Sequence, residues 1–192
     1  DKYPVTNKEF AGFLKKSKYN PKNKINFLKH WPGGKLPATI ENHPVIYISY
    51  EDAQAYATWA GKRLPTEIEW QYAAQTSKRY AWPWVNTTPV SQKAEIVNET
   101  LTHYSTEGFD SVTVNNGNGR LDAVGLRSKS ANPFGLEDLV GSVWQMTNDV
   151  YQSGKYSYSI LKGGSYFKPT DSWWYVQGGP QELSWRQMLL RV

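Results

Sequence analysis

With 192 residues, of which 39% are hydrophobic and 15% aromatic, the chain has the substance for one sizeable core filled largely by rings, and it is not a disordered segment. The absence of cysteine excludes disulfides, thiolate metal sites and cysteine nucleophiles, and no run approaches the roughly 18 consecutive apolar residues of a membrane helix. A formal net charge of +5 leaves polyanion binding open as a function class.

Fifteen Gly and 11 Pro lie between short apolar runs throughout, which predicts many turns and few long regular elements. Asp1 reads as the end of a strand and follows neither an initiator Met nor a signal peptide, so the chain is expected to be an excised or processed piece. Thr6 and Glu9 form a capping box, after which Phe10, Phe13 and Leu14 fall on one helical face. Residues 20–41, rich in Pro, Gly, Asn and Lys, read as an irregular surface excursion, and 45–48 as a brief strand. Ser49 and Asp52 cap a second helix carrying Ala53, Tyr56, Trp59 and Ala60, with Gly61 as its C-cap. Pro65 breaks the pattern, and Thr66 with Glu69 opens a third helix with Trp70, Ala73 and Ala74 inward. Beyond residue 76 the chain reads as short extended segments, aromatic clusters and turns such as Asn115-Asn116-Gly117-Asn118-Gly119, with no internal repeat.

Seven lysines, at positions 15, 16, 18, 22, 24, 29 and 35, occur without an intervening acid. Such a run fits a solvated loop or a polyanion site. The solvated loop is the better fit, because nucleic-acid grooves mix arginine with stacking rings and this run has no Arg, although Phe27 and Trp31 lie within it. No nucleic-acid partner is expected.

Read in order, Tyr3-Pro4-Val5-Thr6-Asn7, then His43-Pro44-Val45 leading to Tyr50-Glu51-Asp52-Ala53, then Gly61-Lys62-Arg63-Leu64-Pro65-Thr66-Glu67-Ile68-Glu69-Trp70, resemble the sulfatase-modifying-factor family, that of formylglycine-generating enzyme. The second half continues the resemblance with the run from Asn132-Pro133-Phe134-Gly135-Leu136 to Val143-Trp144, and with Lys162-Gly163-Gly164-Ser165-Tyr166. The resemblance implies an α+β fold of the C-type lectin-like, formylglycine-generating-enzyme type, as a single domain over 1–192. The family's closing Gly-Phe-Arg is absent, so truncation at both ends is expected. Within these motifs Arg63 is expected as a buried or half-buried strut onto Glu67 or Glu69, and Gly163-Gly164 as a place where two backbones approach closely.

In the family's catalytic members two cysteines after the Gly-Gly-Ser-Tyr motif bind copper and oxidise a substrate cysteine. Aligned on that motif, Lys168 and Trp173 stand in their places, and neither can be a thiolate. The resemblance therefore implies a pseudoenzyme with respect to that oxidation, with no copper. Relatives that hold iron use three histidines on a helical domain; His30, His43 and His103 lack such spacing and are expected as surface or turn residues, so no iron is expected either. Calcium is the expected cofactor, because the family's second calcium site maps onto the side chains of Asp138 and Gln145 and the carbonyls of Gly141 and Val143, with Asp for the family's Asn and Gln for its Glu. Asn98 and the 115–119 run are weaker candidates for a first calcium site.

The region after the glycines implies a ligand groove formed by Ser165, Lys168, Asp171, Trp173, Trp174 and Tyr175, with Gln177 nearby and Trp82-Pro83-Trp84 as a second aromatic wall, suited to a peptide, protein or glycan. A binding or scaffold module is the expected function, with an exported or cell-envelope location implied by the family. The alternatives are a cysteine-independent enzyme using Asp149, Lys168, Asp171 or Arg186, and a structural subunit of a bacterial envelope assembly.

Overall fold

The structure, a computed structural model, describes residues 1–77, 83, 96–97, 100–101, 120–166 and 187–191. Three helices come first: α1 (Asn7–Ser17), α2 (Tyr50–Trp59) and α3 (Glu67–Gln75). All three begin with a reciprocal capping box, at Thr6/Glu9, Ser49/Asp52 and Thr66/Glu69, as the sequence predicts. Gly61, at φ 70°, follows α2 in the left-handed region, and its N–H reaches Thr58 O.

A two-residue antiparallel pair, β1 (Ile96–Val97) and β2 (Thr100–Leu101), precedes the main sheet. That sheet is antiparallel, in the order β3 (Gln145–Ser153), β4 (Tyr156–Lys162), β5 (Gln187–Arg191). A tight hairpin through Gly154 joins β3 to β4, with Ser153 opposite Tyr156, and the register slips once between Met146 and Val150. Few helices and a short antiparallel sheet make the fold α+β. No helix among the described residues is long and apolar enough to cross a membrane.

One expectation is corrected. Residues 45–48 form no strand: the extended pairing there is one bridge, Thr6 to Pro44, and Tyr47 sits at φ 56°, which breaks an extended run. Trp31, which lies within the lysine run, is buried in the core with Phe10, Phe13, Leu28 and Val45. Around that core Phe10 meets Phe13 edge-on at 5.2 Å and stacks on Tyr56 at 5.6 Å.

Asn7, 1% exposed, ties this core to the loops around it. Its Nδ2 donates to the carbonyls of Ile40 (3.0 Å), His43 (3.0 Å) and Pro44 (3.3 Å), and its Oδ1 accepts from Trp31 Nε1 (2.9 Å) and lies 2.7 Å from His30 Nε2. The carbonyls fix the amide's orientation, so Oδ1 is the acceptor and His30 carries its proton on Nε2. His30 and His43 are half-buried beside this hub, while His103 lies outside the described residues. Asn7→Ala strands the Trp31 and His30 donors and removes the side-chain donor from the Pro44 carbonyl, while the Ile40 and His43 carbonyls keep the N–H groups of His43 and Asn7. It is expected to cost about 3 kcal/mol, read as a fall of about 6–12 °C in melting temperature.

Candidate functional site

The inner face of α3 and the start of β3 meet through one side chain. Trp70 is 2% exposed, and its indole Nε1 donates to Gln145 Oε1 at 2.9 Å. The other end of that carboxamide, Nε2, donates to Asp138 O (2.9 Å) and Leu139 O (3.4 Å). Gly141 N–H bonds Gly163 O at 2.9 Å, and Tyr166 N–H bonds Ser142 O at 2.6 Å, so the 138–143 loop is laced to the end of β4. Gly163 makes the approach possible. At φ 93° it occupies the glycine-favouring region, and a Cβ there would lie 2.4 Å from Leu139 O. The expected close approach of two backbones at Gly163-Gly164 is therefore present.

The calcium expectation is met by a different arrangement. Asp138, in the left-handed region at φ 57°, turns its carboxylate to the Gly125 N–H, while its own N–H donates to Ser130 Oγ at 3.2 Å. Gln145 aims N–H donors at main-chain carbonyls and spends its oxygen on Trp70. A cation requires oxygens that converge on an empty centre, and the Gln145 carboxamide oxygen is already taken by the Trp70 indole. The side chains of Asp138 and Gln145, as placed, do not fit calcium.

Arg63 forms the expected bond to Glu69, bidentate at 2.7 and 2.6 Å, but on the surface: its side chain is 64% exposed, because it lies outside the end of α3. This pair and the capping bonds hold the Glu69 carboxyl down at about 2. Glu67 instead pairs with Lys162, whose Nζ is 3.3 Å from Glu67 Oε1 and 5.7 Å from the Trp70 ring. Lys162 is fully buried, and burial lowers its pKa against the pull of Glu67. Asp149, considered as a catalytic acid or base, accepts the Glu67 N–H and so serves as a second cap on α3.

Between the N-terminal segment, α3 and the sheet lies a cavity of about 1040 Å³. Val143, Gln145 and Ser165, expected as site residues, line it together with Tyr47, Trp144 and Tyr166. Its rim charges are paired, Lys62 with Asp1, Arg63 with Glu69 and Lys2 with Glu137. Lys168, Asp171, Trp173, Trp174, Tyr175, Gln177 and Arg186 lie outside the described residues, as do Trp82, Trp84, Asn98 and 115–119. Sequence reading missed Tyr47, because an aromatic residue carries no local mark of positive φ, and it missed the bridging role of Gln145.

The sequence of residues 1–185 matches the family model described as sulfatase-modifying factor enzyme 1-like domain. The chain belongs to that family. It is 28% identical to inactive C-alpha-formylglycine-generating enzyme 2 of Bos taurus, over 89% of this chain and 66% of that protein. It is 34% identical to the formylglycine-generating enzyme of Streptomyces coelicolor, over 65% of this chain and 42% of that one. A hercynine oxygenase of Mycolicibacterium thermoresistibile is 29% identical over 68% of the chain and 30% of its own length. The family thus includes enzymes and a relative named as inactive, and the chain spans less than two thirds of the length of each of these three relatives. The crystal structure of CarF shares the fold at a TM-score of 0.50 and 20% identity, covering 88% of this chain and 75% of that one.

Burial, reinforced by the charge of Glu137 and opposed by the Gly125 N–H, raises the Asp138 pKa from 3.8 to about 6. The fold therefore favours the protonated acid: this contribution to stability is complete below about pH 4 and is lost as pH rises through about 6. Asp138→Asn is expected to be more stable than the wild type at pH 7.5 by about 2–3 kcal/mol. The difference should vanish near pH 4, as read from denaturant titrations at the two pH values.

Proposed function

We propose that this chain is a non-catalytic formylglycine-generating-enzyme-like domain, a binding or scaffold module that takes an apolar stretch of peptide or protein into the cavity beside Ser165. The observation that carries this reading is the cavity itself: ring-lined walls with a rim whose charges are already paired favour apolar side chains over a charged ligand or a sugar. The absence of any cysteine supports the non-catalytic half, since neither Lys168 nor Trp173 can do thiolate chemistry. For the runner-up, a cysteine-independent enzyme, Asp149 is the candidate acid or base within the described residues, and its carboxylate is committed to α3.

Selection from a random-peptide library on the purified domain is expected to enrich sequences with large apolar side chains, with dissociation constants of about 1–100 μM. Tyr47→Asp, at the cavity mouth, should weaken the selected peptides at least about tenfold while leaving the melting temperature unchanged. Failure to enrich, or equal binding by the variant, would remove the cavity from this function.

For the Asp138–Gln145 corner we propose closure by hydrogen bonds in place of a cation, with the Gln145 carboxamide donating to the carbonyls of Asp138 and Leu139. Melting curves of the wild type with calcium and with chelator are expected to agree within about 1 °C. A calcium-specific rise abolished by Asp138→Ala would instead establish the metal.

A further inference from the structure

From Phe10 to Ile40 the sequence contains no carboxylate and seven lysines, and in the fold all seven lysines are exposed. The ion pairs among the described residues use Lys2, Lys8, Lys62, Arg63, Arg127 and Lys162, so none of the seven is neutralised by one. Asp52 is buried, capping α2 and accepting from Tyr19 OH at 2.8 Å, and Glu51 lies half-buried beside it.

The middle of this stretch is a protruding loop fixed at both ends. On one side Tyr19 packs on Phe13 at 5.1 Å; on the other Phe27 packs on Phe10 at 6.2 Å, and Leu28 N–H bonds Tyr47 O at 2.9 Å. Phe10 and Phe13 touch each other, so the two anchors stand on adjacent rings of α1 and the chain between them must loop outward. Lys22, Asn23, Lys24, Ile25 and Asn26 are all exposed in that loop. The Asn23 carboxamide oxygen accepts the Ile25 N–H at 3.0 Å, which shapes the tip. Ile25, 87% exposed, is an aliphatic side chain held out into solvent between Lys24 and Lys29.

We propose that this loop docks the domain on an anionic lipid surface, with the lysines over the phosphates and Ile25 entering the boundary of the acyl chains. The two features supply the two signals that stable peripheral binding requires, charge attraction and apolar insertion. Nucleic acid is a poorer fit: the stretch has no arginine, and its rings are turned inward, with Phe27 on Phe10 and Trp31 in the core. An exposed isoleucine has no use in a polyphosphate groove.

The test is co-sedimentation of the whole chain with vesicles. Binding is expected to phosphatidylcholine containing about one-third phosphatidylglycerol, and not to phosphatidylcholine alone; it should fall sharply between about 0.05 M and about 0.5 M NaCl. The double variant Lys22→Gln/Lys24→Gln should weaken it at least about tenfold, and so should Ile25→Asp, with melting temperatures unchanged because all three positions are exposed. Equal binding to both lipid compositions, or no vesicle binding, would overturn the proposal. So would Ile25→Asp binding as tightly as the wild type. Lysine-dependent binding to heparin or DNA without vesicle binding would assign the patch to a soluble polyanion instead.

Discussion

A carboxamide buried in an aromatic core is tolerable only when every one of its hydrogen-bonding positions is used, and the N-terminal third of this protein is organised around satisfying Asn7. Its position as the first residue of α1 places the side chain where it can reach both the 40–44 loop and the 30–31 turn. The irregular excursion between α1 and α2 has little regular structure of its own. It is held through this amide, the rings above it and main-chain bonds such as Leu28 N–H to Tyr47 O and Asn7 N–H to His43 O, which is why an excursion of this length can present a shaped surface.

The same principle recurs on the other side of the molecule. Gln145 bridges α3 and the 138–139 backbone, and Asn132 accepts from the Phe134 and Leu136 N–H groups while donating to Ala73 O. Neutral amides, each able to donate and accept, join segments of irregular backbone that lack the repeating ladders of helix or sheet. Charge is used more sparingly inside. Lys162 and Glu67 form a pair between β4 and α3, and Asp138 is buried against a single N–H with its carboxyl pushed toward neutrality.

The three helices were legible in the sequence because capping boxes are local: three residues apart, they announce themselves without tertiary context. Phe10, Phe13, Trp70 and Ala74 followed from helical spacing alone. The family motifs made the fold readable, and at Gly163 they marked a real contact between backbones. What could not be read was direction. Nothing local distinguishes a Gln that will coordinate a cation from one whose amide faces carbonyls, or an Arg strut that is buried from one that lies on the surface. The left-handed turn at Tyr47, which removed the expected strand and put a ring at the cavity mouth, depends on the Leu28 N–H that its carbonyl accepts from 19 residues earlier.

Gly163 illustrates how narrow the allowance can be where irregular segments meet. The atom that its missing side chain would strike is a main-chain oxygen, which has no alternative rotamer to adopt, and the next nearest is the Trp70 ring. Every nucleotide change that alters a glycine codon's meaning either adds at least one carbon to this spot or ends the chain. The position therefore has no conservative replacement, and drift in the surrounding loops, however extensive, has to proceed around a fixed point.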